Sequence, residues 1–168
     1  MRKSAIIAVA LVFAPLLQAV AAEGQDGPLD WQSWKAGNEV ANLASLQRGA
    51  RNFANYCAGC HSMKYLRYSR VATDLKIPLE QLKANLLPDG AKPADYMIAS
   101  IAPADAVAWF GKEPPDLSLI ARSRGPDKVY RFLKTFYLDP TMPTRTNNLV
   151  LASPAMPAVN GRLSNIPS

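Results

Sequence analysis

Cys57 and Cys60 are the only cysteines of the 168-residue chain, and His61 is its only histidine. All three fall within five consecutive positions. Two thiols and an imidazole at that spacing suit three chemistries. A thioredoxin-like dithiol would follow a strand and open a helix, whereas this one closes a helical pattern. A zinc site would need further Cys or His ligands, and the sequence has none. The third is covalent haem attachment, for which Cys57-Ala58-Gly59-Cys60-His61 has the C-x-x-C-H form. Each sulfur would add to one haem vinyl group. Two intervening residues at a helix end bring both sulfurs to one haem edge, and small Ala58 and Gly59 leave room for the porphyrin. The next residue, His61, would then give the iron its fifth ligand.

With no second histidine, a neutral sixth ligand must be a methionine, or the position is open. Met1 lies in the leader. Met63 is two residues from His61 and cannot reach the other haem face. Met97 falls in a helical pattern and reads as core. Met142 and Met156 remain, both in a late Pro-rich stretch. Met156 lies between Pro154 and Pro157, which stiffen its backbone. Spacing prefers Met156 without eliminating Met142. A thioether stabilises reduced iron and raises the potential. A six-coordinate iron leaves no position for substrate, so the site would carry electrons. An open sixth position would instead suit a haem enzyme such as a peroxidase.

The elements that must hold these residues read as helical. Leu46, Ala50, Phe53 and Cys57 form one apolar stripe, predicting a helix over 45–57 with Ser45 as N-cap. Gly49 on that face would admit a close neighbour. Turn signals at Pro78 and Pro88-Asp89-Gly90 break up residues 62–92. A helix is predicted over 94–101, a shorter one from Pro103 to about Gly111, and a last one over 126–138 with Pro126 in its first turn. Pro114-Pro115 forces extended chain between them. No repeat and no alternating strand pattern appears. The fold class predicted is all-α with long irregular loops.

The ends of the chain and its charge bound where it works. Arg2 and Lys3, an apolar run over 5–17, and Ala19-Val20-Ala21-Ala22 have the layout of a secretory leader. Cleavage after residue 22 would leave 146 residues, enough for one domain, and would lower the formal charge from +6 to +4. Residues 23–44 read as an irregular lead-in, 45–158 as the haem domain and 159–168 as a short tail. No later stretch matches the roughly 20 apolar residues of a membrane span. Residues 96–110 come nearest and are interrupted by Pro103 and Asp105. The basic residues are scattered, without the aromatic interleaving of a nucleic-acid surface.

Longer runs resemble a known family. Leu46-Gln47-Arg48-Gly49, then Asn55-Tyr56-Cys57-Ala58-Gly59-Cys60-His61-Ser62-Met63, Tyr68 and Arg70 are similar to the haem-binding segment of the cytochrome c1 family. Trp109-Phe110-Gly111, Pro114-Pro115-Asp116-Leu117-Ser118 and Arg122-Ser123-Arg124-Gly125 resemble its second signature. Phe136-Tyr137, Pro143-Thr144, Asn147-Asn148 and Ala155-Met156-Pro157 continue it in order. The resemblance runs from about Trp31 to Ala158 and has a bacterial character. It implies a class I cytochrome c-like domain with one haem c, thioethers at Cys57 and Cys60, His61 proximal and Met156 distal. It further implies that Pro115 and Leu117 pack on the ring and that Arg124 faces a propionate. The implied function is electron transfer in a quinol–cytochrome c oxidoreductase, with no bond chemistry of the chain's own. Its partners would be cytochrome b, a Rieske iron–sulfur protein and a soluble cytochrome c or similar acceptor. Its location would be the periplasmic side of the bacterial inner membrane. The family continues past the methionine into another helix and a membrane anchor. Residues 159–168 carry neither, so against that pattern the chain reads as truncated. A soluble mono-haem shuttle is the alternative this feature favours.

Overall fold

A computed structural model describes residues 30–159. The leader read at 1–22, part of the lead-in and nearly all of the tail at 159–168 lie outside these residues. A single 3-10 turn, Trp31–Ser33, opens the described chain. Helix α1 (Leu43–Tyr56) follows, then strand β1 (Met63–Arg67), α2 (Tyr68–Asp74), α3 (Leu79–Asn85) and β2 (Tyr96–Met97). The second half holds α4 (Pro103–Phe110), α5 (Ile120–Arg124), α6 (Pro126–Lys134), β3 (Phe136–Leu138) and β4 (Thr146–Asn148). The strands form two antiparallel pairs, β1 with β2 and β3 with β4. The fold is therefore mainly helical, and the all-α reading is corrected by these two small sheets.

The main core gathers Tyr68, Val71, Leu82 and Met97. Ala50 and Phe53 of the predicted α1 stripe pack against it, with Met63 and Leu66 from β1. This packing fixes the end of α1, and so the position of Cys57. Helix α1 begins two residues earlier than predicted. Asn42, not Ser45, is the N-cap: its side chain accepts the Ser45 amide at 3.0 Å. Asn satisfies an orphan helix donor as well as Ser does. Gly49 does not mark a close approach, since a Cβ there would meet open space.

Two predicted helices are corrected where long-range pairing overrides local pattern. Residues 96–97 are extended, with Met97 paired to Met63 and buried in the core. The Arg67 guanidinium stacks on the Tyr96 ring at 3.9 Å and donates to its hydroxyl. Helix α6 stops at Lys134, four residues short of the prediction. Thr135 turns its hydroxyl back onto the Arg131 carbonyl at 2.8 Å, and Phe136 is then buried in β3. By contrast α4 ends as predicted at Gly111, whose φ of 74° is the left-handed cap that glycine adopts without strain. Pro103 and Pro126 occupy the first turns of α4 and α6, where a missing N–H costs nothing.

The lead-in is tied down. Asp127, in the first turn of α6, accepts the Ala36 amide at 2.9 Å and pairs with Lys35 at 3.2 Å. Arg131 of the same helix donates to the Gln32 carbonyl. The Ala36 amide and the Lys35 side chain hold the Asp127 carboxyl below its usual range. A carboxyl depressed in the folded state contributes stability above its unfolded pKa, about 4, and loses it as pH falls through the folded value. Asp127→Asn should therefore lower the denaturation midpoint at pH 7, with the two proteins converging once pH has fallen through the carboxyl's depressed folded value. Acid unfolding followed by circular dichroism measures this; a gap that persists at low pH would mean the carboxylate's charge is irrelevant.

Candidate haem site

Cys57 and Cys60 sit where α1 runs out. The Cys57 amide still bonds to the Phe53 carbonyl at 2.9 Å, and the Cys60 and His61 amides fold back onto the Cys57 carbonyl at 3.0 and 2.8 Å. This tight turn brings the two sulfurs and the imidazole to one end of the helix. Both thiols are free, Cys57 half-buried and Cys60 exposed. Burial, reinforced by neighbouring Cys60, pushes the Cys57 thiol up, which keeps it protonated at neutral pH.

His61 Nδ1 lies 2.8 Å from the Pro115 carbonyl oxygen. A carbonyl can only accept, so Nδ1 carries a proton, and in the neutral ring Nε2 keeps a free lone pair. That is the state a metal-ligating histidine requires, with its outer partner fixing the ring.

A cleft beside this imidazole is lined by His61, Tyr56, Cys60, Phe110, Lys112, Pro115 and Met156 among others. Met156 and His61 thus share one cleft although 95 positions separate them. Met142 does not line it; its sulfur instead accepts the Ser153 hydroxyl at 3.7 Å. A second hollow of about 290 Å³ adjoins the first through Cys60 and Pro114 and is walled by Ser62, Ile98, Ile101 and Ala106. Of the other predicted residues, Pro115 lines the cleft, whereas Leu117 and exposed Arg124 do not. Leu117 is tied elsewhere, through its amide to the Ser62 carbonyl at 2.8 Å.

The segment carrying Met156 has no regular structure and is held from β4. Buried Asn148 donates to the Phe132 carbonyl at 2.7 Å and accepts the Val150 and Leu151 amides at 2.9 and 3.2 Å. Asn147 accepts the Ser153 amide at 2.8 Å and donates to Asp139 at 2.9 Å. Ser153 adopts a φ of 53°, a left-handed conformation that costs a non-glycine residue about 1 kcal/mol; the bond to Asn147 offsets it. Buried Pro154 then leads into Met156. Sequence reasoning noted Asn147-Asn148 only as part of a signature. Two adjacent Asn before a Pro-rich loop are a turn-organising signal that could have identified them as anchors. It also missed Tyr56, Phe110 and Lys112 as cleft residues.

These residues fit a covalently attached haem. Two unpaired thiols flank the site, one imidazole presents a free Nε2, one thioether shares its cleft, and most of the lining is apolar.

Comparison with known proteins agrees. The model of the cytochrome C1 family matches residues 33–160. A cytochrome c1 of Allochromatium vinosum is 46% identical over 158 residues, which cover 94% of this chain and 62% of that protein. The ammonia monooxygenase gamma subunit of Nitrosomonas europaea is 38% identical, over 95% of this chain and 65% of its own length. A cytochrome b/c1 of Bradyrhizobium diazoefficiens is 29% identical over 71% of this chain and 20% of that protein. The chain thus spans a little under two thirds of the first two relatives.

Proposed function

The chain belongs to the cytochrome c1 family, whose members carry one covalently attached haem c, and on that premise we propose that it is the one-electron carrier of a quinol–cytochrome c oxidoreductase. The observation that carries this reading is the meeting of His61 and Met156 in one cleft beside Cys60. Haem iron, when bound, alternates between two oxidation states and so holds one electron at a time. Cys57 and Cys60 would hold the group by thioether bonds, and His61 Nε2 and Met156 Sδ would ligate the metal. Pro115 orients the imidazole through its carbonyl. The family resemblance would add Leu117 and Arg124 to the surroundings of the ring, although neither lines the cleft itself. The Met156 thioether would favour the reduced state, and two protein ligands would leave no position for substrate, so the chain would catalyse no bond chemistry alone. The domain would have a class I cytochrome c fold.

The family and the cytochrome b/c1 name of one relative support a complex with cytochrome b. A Rieske iron–sulfur protein would deliver the electron, and a soluble cytochrome c or similar carrier would take it away. The site would face the periplasm at the inner membrane, in keeping with a leader over residues 1–22. No helix among the described residues is long and apolar enough to cross a membrane.

Two measurements on membranes of the source organism test this. Under denaturing electrophoresis haem should remain on the chain, and Cys57→Ser or Cys60→Ser should weaken its retention. Mild detergent extraction should yield the chain together with a cytochrome b and a Rieske protein. Haem lost from the unaltered chain would refute the attachment; a haem-bearing chain isolated alone would favour the soluble shuttle.

A further inference from the structure

We infer that Asp116 is a positioning residue for the proximal imidazole, acting through the peptide it shares with Pro115. The inference rests on His61 as the proximal ligand. The oxygen that receives His61 Nδ1 belongs to Pro115, and Pro114 and Pro115 have no amide hydrogen by which to be anchored. The loop must be held by the residues after the two prolines. Asp116 supplies the first side-chain anchor: its Oδ2 accepts the Lys64 amide at 2.8 Å and its Oδ1 accepts the Ser118 amide at 3.0 Å. The Leu117 amide donates to the Ser62 carbonyl at 2.8 Å, and the Ser118 hydroxyl accepts the Tyr65 amide at 3.2 Å. Residues 115–118 are thereby laced to 61, 62, 64 and 65, the segment that begins with the imidazole itself. Any residue at 117 could make the backbone tie. Only a carboxylate at 116 can accept from both amides with separate oxygens, fixing the Pro115–Asp116 peptide from its far side. Burial disfavours the charged carboxylate, but the Lys64 and Ser118 hydrogen bonds outweigh this and hold the group ionised.

Donation from Nδ1 to a carbonyl makes Nε2 a stronger base. Loosening the clamp should weaken that donation, and with it the bond from Nε2 to iron. The test uses the haem-loaded full chain with Met156→Leu as parent, so that the reduced iron is five-coordinate. Resonance Raman spectra of this parent and of its Asp116→Ala and Asp116→Asn derivatives report the iron–histidine stretch. Hydrogen exchange reports the Lys64 amide. Asp116→Ala should lower the stretching frequency and speed Lys64 exchange by about tenfold, the value of one lost hydrogen bond. Asp116→Asn keeps one acceptor and should fall between. Faster Lys64 exchange with an unmoved stretch in Asp116→Ala would show a merely structural carboxylate and overturn the inference. If Asp116→Ala does not fold, the stretch in Asp116→Asn decides in the same way. In a parent whose reduced iron is five-coordinate by its absorption spectrum, absence of any iron–histidine stretch would instead refute His61 as ligand, and the inference with it.

Discussion

Met156→Leu should abolish the sulfur-to-iron charge-transfer band of the oxidised protein and lower its midpoint potential. The drop should be on the order of 0.1 V or more, within the roughly 0.8 V over which axial ligands set haem potentials. Leucine matches methionine in size but offers no lone pair, so the cleft stays filled while ligation is lost. Met142→Leu should leave both the band and the potential unaltered, because Met142 is turned toward Ser153 and not into the cleft. The pair of variants matters more than either alone, since spacing in the sequence left both methionines open. A band that survives in Met156→Leu and vanishes in Met142→Leu would reverse the assignment.

Asn148→Ala should cost roughly 2–4 kcal/mol of stability. The side chain is 3% exposed and serves three backbone groups: the Phe132 carbonyl and the amides of Val150 and Leu151. These bonds are only part-buried, and Leu151 is itself exposed, so each one lost costs about 0.5–1.5 kcal/mol. The sum is a large part of the roughly 5–15 kcal/mol that holds a domain together. Because the same bonds hold the start of the segment leading to Met156, the variant should also let added imidazole displace the sixth ligand faster. Denaturant unfolding and ligand-displacement kinetics check the two halves. A loss of less than about 1 kcal/mol would mean that the segment is held by its prolines and not by Asn148.

How far the sequence reaches differs from residue to residue for physical reasons. Cys57, Cys60 and His61 form a local motif, so the tight turn that gathers them is written in five positions. Helix α4 was legible because Pro103 and Gly111 mark its ends by backbone rules that hold anywhere. Helix α6 was legible at its start and not at its finish. Its apolar pattern continues through Phe136 and Tyr137, and only pairing with Asn147 and Asn148 shows that these residues are extended. Met97 was read as core, and it is buried, but as a strand residue opposite Met63. That contact spans 34 positions, and no window of local periodicity contains it. The hold of Asp116 on Lys64 is of the same kind, a side chain whose role lies 52 positions away.

The attachment of the lead-in to α6 bears on the order in which the chain assembles. The Ala36–Asp127 contact joins residues 91 positions apart, and Arg131 reaches back 99 to Gln32. Closing a flexible loop of that size costs roughly 4 kcal/mol in chain entropy. The few surface hydrogen bonds of the strap and its exposed ion pair return less than that. The strap therefore cannot form first and wait for the rest. It closes only when the intervening helices are already compact and most of that entropy has been lost for other reasons. Protection of the Ala36 amide would accordingly mark the end of folding, and the strap, formed after the rate-limiting step, would act mainly by slowing the chain's opening.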